Sequence, residues 1–431
     1  MKIDDFNIAE AIPNLIETSA AISVACHCFE QYMDYRQYRH LKQNHPLPAS
    51  IADKIDPEER TKARMYSLEC LRFSFFQGNI LATISIASLL YRVHIKQWNY
   101  ITTLTDNFLL QSTFYFLFDS FVSTLIALPF SYYSKFVIEE KWGFNKTTKA
   151  LFFTDTLKGI FLEIVIDIPL SLLITFIITR LGESSWFPIF LVLISFQVFF
   201  TFFYFELIAP LFNKFTPLED GKLKTRIAEE LVGFPKDKIF VLDGSKRSSK
   251  GNAYVGGLFS KKRIVLYDNL FNQLSGDDEI MSVLAHEYGH YKHKHVPKLL
   301  ITNTIMMLIV IRLSAYLMFR PAVYEALGFD TTKNVPYLIV ISILLSLFKP
   351  IFAIISFGSH AVSRFYERQA DTYAVKNLGY GCLSNALVNL HTKNLSSMFP
   401  DKLWSAYRYD HPTLAERIEL IEQVKNENKI E

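Results

Sequence analysis

Long apolar runs constrain this chain more than any other feature of its sequence. A helix needs about 20 mostly apolar residues to cross the hydrocarbon core of a bilayer. Such runs recur at about 74–93, 108–133, 159–179, 186–210, 299–319 and 336–357, and a weaker one at about 11–32 is interrupted by Glu17. Half of the 431 residues are apolar and 38 are Phe, as suits a chain that meets lipid over much of its surface. The expected class is mainly α, a membrane protein of seven transmembrane helices.

Charge placement orients those helices. Lys and Arg gather after the first run (Arg36, Arg39, Lys42, Lys54, Arg60, Lys62, Arg64), after the third (Lys135, Lys141, Lys146, Lys149) and within 214–298, whereas the alternate loops hold few. With seven spans, the positive-inside rule puts the N-terminus in the lumen and the basic loops and C-terminal tail in the cytosol. A net charge of +3 gives no basic footprint for a nucleic acid, so no such partner is expected; the lipid bilayer is. The start, Met1-Lys2-Ile3-Asp4-Asp5, lacks the basic flank and small-residue cleavage site of a signal peptide and is expected to be retained. Cys26, Cys28, Cys70 and Cys382 have neither metal-like spacing nor the density of a disulfide framework and read as packed thiols.

Two polar stretches interrupt this pattern. The chain divides into 1–210 with five spans, a soluble insertion over 211–298, two further spans over 299–357, and a soluble C-terminal part over 358–431. Within the insertion, 238–242, 253–255 and 263–267 read as strands of a small antiparallel sheet, the last two joined by a turn over Gly256–Lys262. Ser275 followed by acidic residues reads as the N-cap of a helix running to about His295, and Arg364 through Leu378 reads as another, ended by Gly379.

The first of these helices carries His286-Glu287-Tyr288-Gly289-His290. Four residues make about one helical turn, so both imidazoles project from one face toward a shared metal, and Glu287 sits beside them to activate water. Zinc acidifies that water and Glu287 takes its proton. A catalytic zinc keeps one position for water and so needs a third protein ligand. The metzincin pattern is excluded, because it requires Gly at 293 and His at 296 where this chain has His293 and Val296; His293 and His295 read as solvated residues at the helix end. A thermolysin-like (gluzincin) site instead takes a Glu from a later helix, with an Asp one turn on that orients a zinc histidine. Glu367 and Asp371 supply that pair at i and i+4. Each soluble stretch thus contributes to one metal site, and neither stands as a domain of its own.

The chain also resembles the type I CaaX prenyl proteases over nearly its whole length. The likeness rests on Phe29-Glu30-Gln31-Tyr32-Met33-Asp34-Tyr35-Arg36-Gln37, on residues 136–148, on Ile208-Ala209-Pro210-Leu211-Phe212-Asn213-Lys214-Phe215, on Gly251-Asn252-Ala253-Tyr254, and on the helices bearing His286 and Glu367. Some relatives insert a long acidic loop before the zinc helix, and this chain joins the two directly. The resemblance implies a ring of seven membrane helices around a water-filled chamber, with one zinc at its cytosolic end. It implies endoproteolysis of a C-terminal Cys-aliphatic-aliphatic-X sequence whose Cys is prenylated, in the endoplasmic reticulum membrane. It further implies that Asn252, Ala253 and Tyr254 bind substrate, with Asn252 and Ala253 pairing to its backbone as an edge strand, and that His411 and Arg417 polarise the scissile carbonyl and stabilise the oxyanion.

Asp119, Glu163, Asp167 and Arg312 fall within apolar runs, where a charge facing lipid is costly, and are expected to face the interior. A quality-control membrane protease with the same zinc motif is the competing enzyme, and seven spans count against it. A seven-helix receptor or transporter would leave the Glu367 and Asp371 pair unexplained. The tail Asn428-Lys429-Ile430-Glu431 has one of the two lysines of a retrieval signal and adds little on compartment.

Overall fold

The structure is a computed structural model that describes residues 14–329 and 336–428. The start expected to be retained, the first residues of the weak run at 11–32 and the last three of the tail lie outside the described residues. The principal membrane-side helices are α1 (Leu15–Gln43), α2 (Pro57–Leu90), α3 (Phe108–Tyr133), α4 (Lys149–Leu181) and α5 (Trp186–Phe203). Their starts carry local signals. Asp56 caps α2 by accepting from the backbone N–H of Glu58 and Glu59, with Pro57 in the first turn, and Asn107 and Thr148 cap α3 and α4 in the same way.

All seven expected runs fall on helix where described, but seven separate spans do not emerge from length and composition. Four helical stretches qualify among the described residues: Pro57–Leu90, Phe108–Glu139, Lys149–Phe212 and His295–Met318. A fifth arises if Tyr337–Leu347 and Lys349–Leu378, bent by 64°, form one broken span. Two causes account for the difference. The fourth and fifth runs share one helical stretch of 64 residues, divided only by a 3-10 turn over Gly182–Ser185 in which Gly182 takes φ 52. The first run lies on α1, where Glu17, His27, Glu30 and Asp34 leave it too polar to qualify.

The insertion holds a four-stranded sheet: β1 (Phe215–Pro217), β2 (Ile239–Leu242), β3 (Ala253–Gly256) and β4 (Arg263–Tyr267), in the order β1-β2-β4-β3. The sheet is mixed, which corrects the expected antiparallel one, because β2 and β4 run parallel. Parallel neighbours need a long crossover, and residues 243–262 provide it while also forming β3, which hairpins back onto β4. Beyond the sheet come α6 (Asp277–Lys292), α7 (His295–Met318), α8 (Tyr337–Leu347), α9 (Lys349–Leu378), α10 (Leu383–Lys393), α11 (Lys402–Arg408) and α12 (Leu414–Asn428). One apolar core joins both soluble stretches: Ile264 and Leu266 of β4, Met281, Leu284 and Tyr288 of α6, Ala374 and Val375 of α9, and Leu414, Ile418 and Ile421 of α12. That shared core brings residues more than 70 positions apart into one site.

Asp119, Glu163 and Arg312 are exposed and Asp167 is partly so; Glu163 accepts a hydrogen bond from Ser120, and Arg312 lies over the Trp186 ring. Cys28 is likewise exposed rather than packed, whereas Cys26, Cys70 and Cys382 are half-buried, and all four are free.

Candidate metal centre

Helix α6 begins with Asp277, Asp278 and Glu279, acidic residues that suit the positive end of a helix dipole. Gly276, at φ 118, occupies the capping position, so the Ser275 hydroxyl does not cap as expected; the Ser275 backbone N–H instead donates to Glu279 Oε2 at 2.8 Å. Met281, Leu284, Ala285 and Tyr288 face the core, which leaves His286, Glu287 and His290 on the opposite side. Helix α9 crosses close over that side. The approach requires Gly289, since a Cβ there would lie 2.9 Å from Ala370 Cα.

This crossing brings the carboxylate of Glu367 onto the two imidazoles. His286 Nε2 lies 3.4 Å from Glu367 Oε2, His290 Nε2 lies 3.2 Å from Glu367 Oε1, and the two Nε2 atoms are 3.1 Å apart. Two ligands about 2.0–2.1 Å from a tetrahedral metal are about 3.3 Å from each other, so the donor set fits such an ion. Glu367 is 4% exposed, yet its Oε2 is buried without a hydrogen-bond partner, the state expected of an oxygen that serves a cation. Among the described residues, these three form the one group of His, Cys, Asp or Glu arranged to hold a metal.

Buried partners orient the imidazoles. Asp371, fully buried, takes His286 Nδ1 at 2.8 Å, one helical turn beyond Glu367. Arg417 of α12 grips Asp371 with two donors, Nε to Oδ2 at 2.8 Å and Nη2 to Oδ1 at 2.6 Å. As a free imidazole, His286 is opposed by burial, but Asp371 and Glu367 outweigh it and raise the group to about 10. Burial also opposes the Arg417 charge, and Asp371 more than offsets it, so the guanidinium stays charged. Burial pushes the Glu287 carboxyl up, against the pull of His286 and His290 and of a hydrogen bond from the Val255 backbone.

The remaining expected residues separate by position. His411 is open, with a side chain 54% exposed; its Nε2 lies 3.3 Å from Glu367 Oε1 and its Nδ1 2.8 Å from Asp410. Burial lowers the His411 ring, while Asp410 and Glu367 raise it by more. Arg417, only 6% exposed, holds Asp371 with Nε and Nη2, and its Nη2 also lies 3.9 Å from Glu367 Oε2, the carboxylate that His411 meets from the exposed side. Strand β3 is an edge strand beside α6. The Asn252 carbonyl accepts from the Tyr267 N–H at 2.9 Å, and antiparallel pairing alternates. Tyr254 backbone groups therefore also face β4, while those of Ala253 and Val255 face the free edge. The Asn252 side chain accepts the Ala253 N–H at 2.9 Å, and the Tyr254 ring stacks on Phe205.

His295 reverses its expectation. It is 1% exposed, its Nδ1 lies 2.9 Å from His290 Nδ1, and its Nε2 lies 3.1 Å from Gln369 Oε1. The sequence contains no local signal for this contact. It depends on a break at Lys294, whose φ of 56 ends α6 at Lys292 and starts α7 at His295.

A helical membrane part joined to a buried His, His, Glu cluster defines a membrane metalloprotease, and comparison with known proteins agrees. Residues 37–214 match the family described as CAAX prenyl protease N-terminal, five membrane helices, and residues 217–425 match peptidase family M48. The chain is 38% identical to CAAX prenyl protease 1 of Saccharomyces cerevisiae, over 95% of this chain and 96% of that one. It is 31% identical to the human CAAX prenyl protease 1 homolog, over 92% and 93% of the two chains. The crystal structure of S. mikatae Ste24p superposes with a TM-score of 0.89 at 38% identity, covering 95% of this chain and 99% of that one. The chain belongs to peptidase family M48, among the CAAX prenyl protease 1 proteins.

Proposed function

We propose that this chain is a zinc-dependent endopeptidase that removes the C-terminal tripeptide from prenylated CaaX proteins or peptides. The buried cluster of His286, His290 and Glu367 beside Glu287 carries the reading, in a chain whose full-length relatives are named for that processing. His286, His290 and Glu367 would hold one zinc ion, which when bound would supply Lewis acidity toward water and the scissile carbonyl. Glu287 takes the proton of the attacking water and returns it to the leaving amine as the C–N bond breaks. Burial strengthens the hold of the Glu287 carboxylate on that proton. Asp371 keeps a proton on His286 Nδ1, so the Nε2 lone pair is free, and Arg417 acts through Asp371 by holding it in place. His411, on the open side, stabilises the negative charge that develops on the carbonyl oxygen.

Substrate backbone N–H groups pair along the outer edge of β3 with the Ala253 and Val255 carbonyls, while the N–H groups of the same two residues stay on the Asn252 side chain and the Glu287 carboxylate, and the Tyr254 ring stacks on Phe205. The apolar helices supply the surface for the prenyl chain, whose burial is worth about 0.8 kcal/mol per methylene-sized group. Residues 1–210 and 299–357 make up the membrane part, and 211–298 and 358–431 close the metal site on the cytosolic face of the endoplasmic reticulum membrane, the side chosen by the basic loops. The test is metal analysis of purified protein before and after chelation. One zinc per chain, with peptide cleavage lost on stripping and regained on reloading, is expected; full cleavage by stripped protein would overturn the reading.

A further inference from the structure

We infer that His295, held in turn by Gln369, is the positioning residue for the metal ligand His290, through a directed chain of two hydrogen bonds. The inference rests on His290 ligating the metal through Nε2. A neutral imidazole that gives Nε2 to a metal carries its proton on Nδ1. His290 Nδ1 lies 2.9 Å from His295 Nδ1, so His290 donates and His295 accepts. The His295 proton then sits on Nε2, and there it meets an acceptor, Gln369 Oε1, at 3.1 Å. Each contact has one proton and one lone pair. A doubly protonated His295 would set two donors against each other at 2.9 Å, so the geometry selects one tautomer for both rings.

The fold is arranged to make this contact. Five residues along a continuous helix turn about 500°, which would carry residue 295 about 140° away from His290. The break at Lys294, a non-glycine residue at φ 56, brings the ring back. Tyr366 then stacks on it at 4.2 Å and 10°. Tyr366 and Gln369 flank the ligand Glu367 on α9, so one helix supplies the third ligand and the support for the second. The two zinc histidines thus have unlike partners, His286 a carboxylate and His290 a neutral imidazole.

Packing and positioning make opposite predictions for two substitutions. His295→Phe keeps the stacked ring and loses the acceptor; His295→Asn loses the ring and keeps an acceptor near the place of Nδ1. Zinc release to a chelator is timed for each folded variant in detergent, and the visible spectrum of the cobalt-loaded protein is recorded. The expected result is release about 10- to 100-fold faster in the Phe variant, with a shifted cobalt band, and both returned toward wild type by Asn. Release from the Phe variant as slow as from wild type, or slower than from the Asn variant, would overturn the inference. Should the Phe variant fail to fold, Gln369→Leu carries the test, and an unchanged release rate and spectrum there would overturn it equally. The underlying reading is separable, since it fails only if His290→Ala retains zinc as wild type does.

Discussion

Replacing Gly289 by Ala sets two effects of opposite sign against each other. In a helix interior Ala is favoured over Gly by about 1 kcal/mol. Here the new Cβ would lie 2.9 Å from Ala370 Cα, 3.0 Å from the Ala370 carbonyl oxygen and 3.3 Å from its Cβ. Relaxed carbon contacts lie at about 3.5–4.0 Å, so α6 and α9 must part by about 0.5–1 Å. The nearest obstacles are backbone atoms, which no rotamer change relieves. Overpacking of this kind costs about 1–3 kcal/mol, enough to reverse the gain in propensity. The displacement also falls on the chemistry, because Glu367 lies one turn before Ala370 and Asp371 directly after it. Misplacement by about 1 Å costs about a hundredfold in rate. Gly289→Ala should therefore melt below wild type, hold zinc less tightly and cleave peptide at least about tenfold more slowly. A variant that melts at or above wild type with full zinc and full activity would refute the packing argument.

Other substitutions probe the separate roles. Glu287→Gln should keep its zinc and lose at least about a hundredfold in cleavage, because it removes the base and no ligand; metal content and turnover are measured on one preparation. Glu367→Ala should lose zinc occupancy outright, whereas Asp371→Ala should weaken affinity by about 10- to 100-fold, as read by competition with a chelator. Arg417→Leu leaves the fully buried Asp371 without its cation and should destabilise the protein by about 3–5 kcal/mol in denaturant unfolding.

Features that depend on one local period were legible in the sequence. His286 and His290 on one helical turn, and Glu367 with Asp371 on another, needed only the spacing of an α-helix, and the apolar runs needed only length. Features set by tertiary geometry were not. Nothing near Lys294 announces its left-handed conformation, so His295 read as a solvated helix end. The three-residue strand Phe215–Pro217 is too short for a pattern, and the parallel pairing of β2 with β4 is fixed by a crossover that also forms β3. The turn of Arg417 toward Asp371 depends on α12 packing against α9, 46 residues apart in sequence at the contact. The polar first helix shows a further limit: α1 is helical, yet Glu17, Glu30 and Asp34 leave it below the apolarity of a span.

The most direct test of the account is a matched pair of CaaX peptides that differ only in the prenyl group on Cys, assayed at equal concentration in detergent and in liposomes. A site that joins an edge strand to apolar membrane helices should cleave the lipidated peptide far more efficiently, and changes in the aliphatic residues should matter less. Equal cleavage of the two peptides would contradict it, leaving a membrane metalloprotease that reads peptide sequence alone.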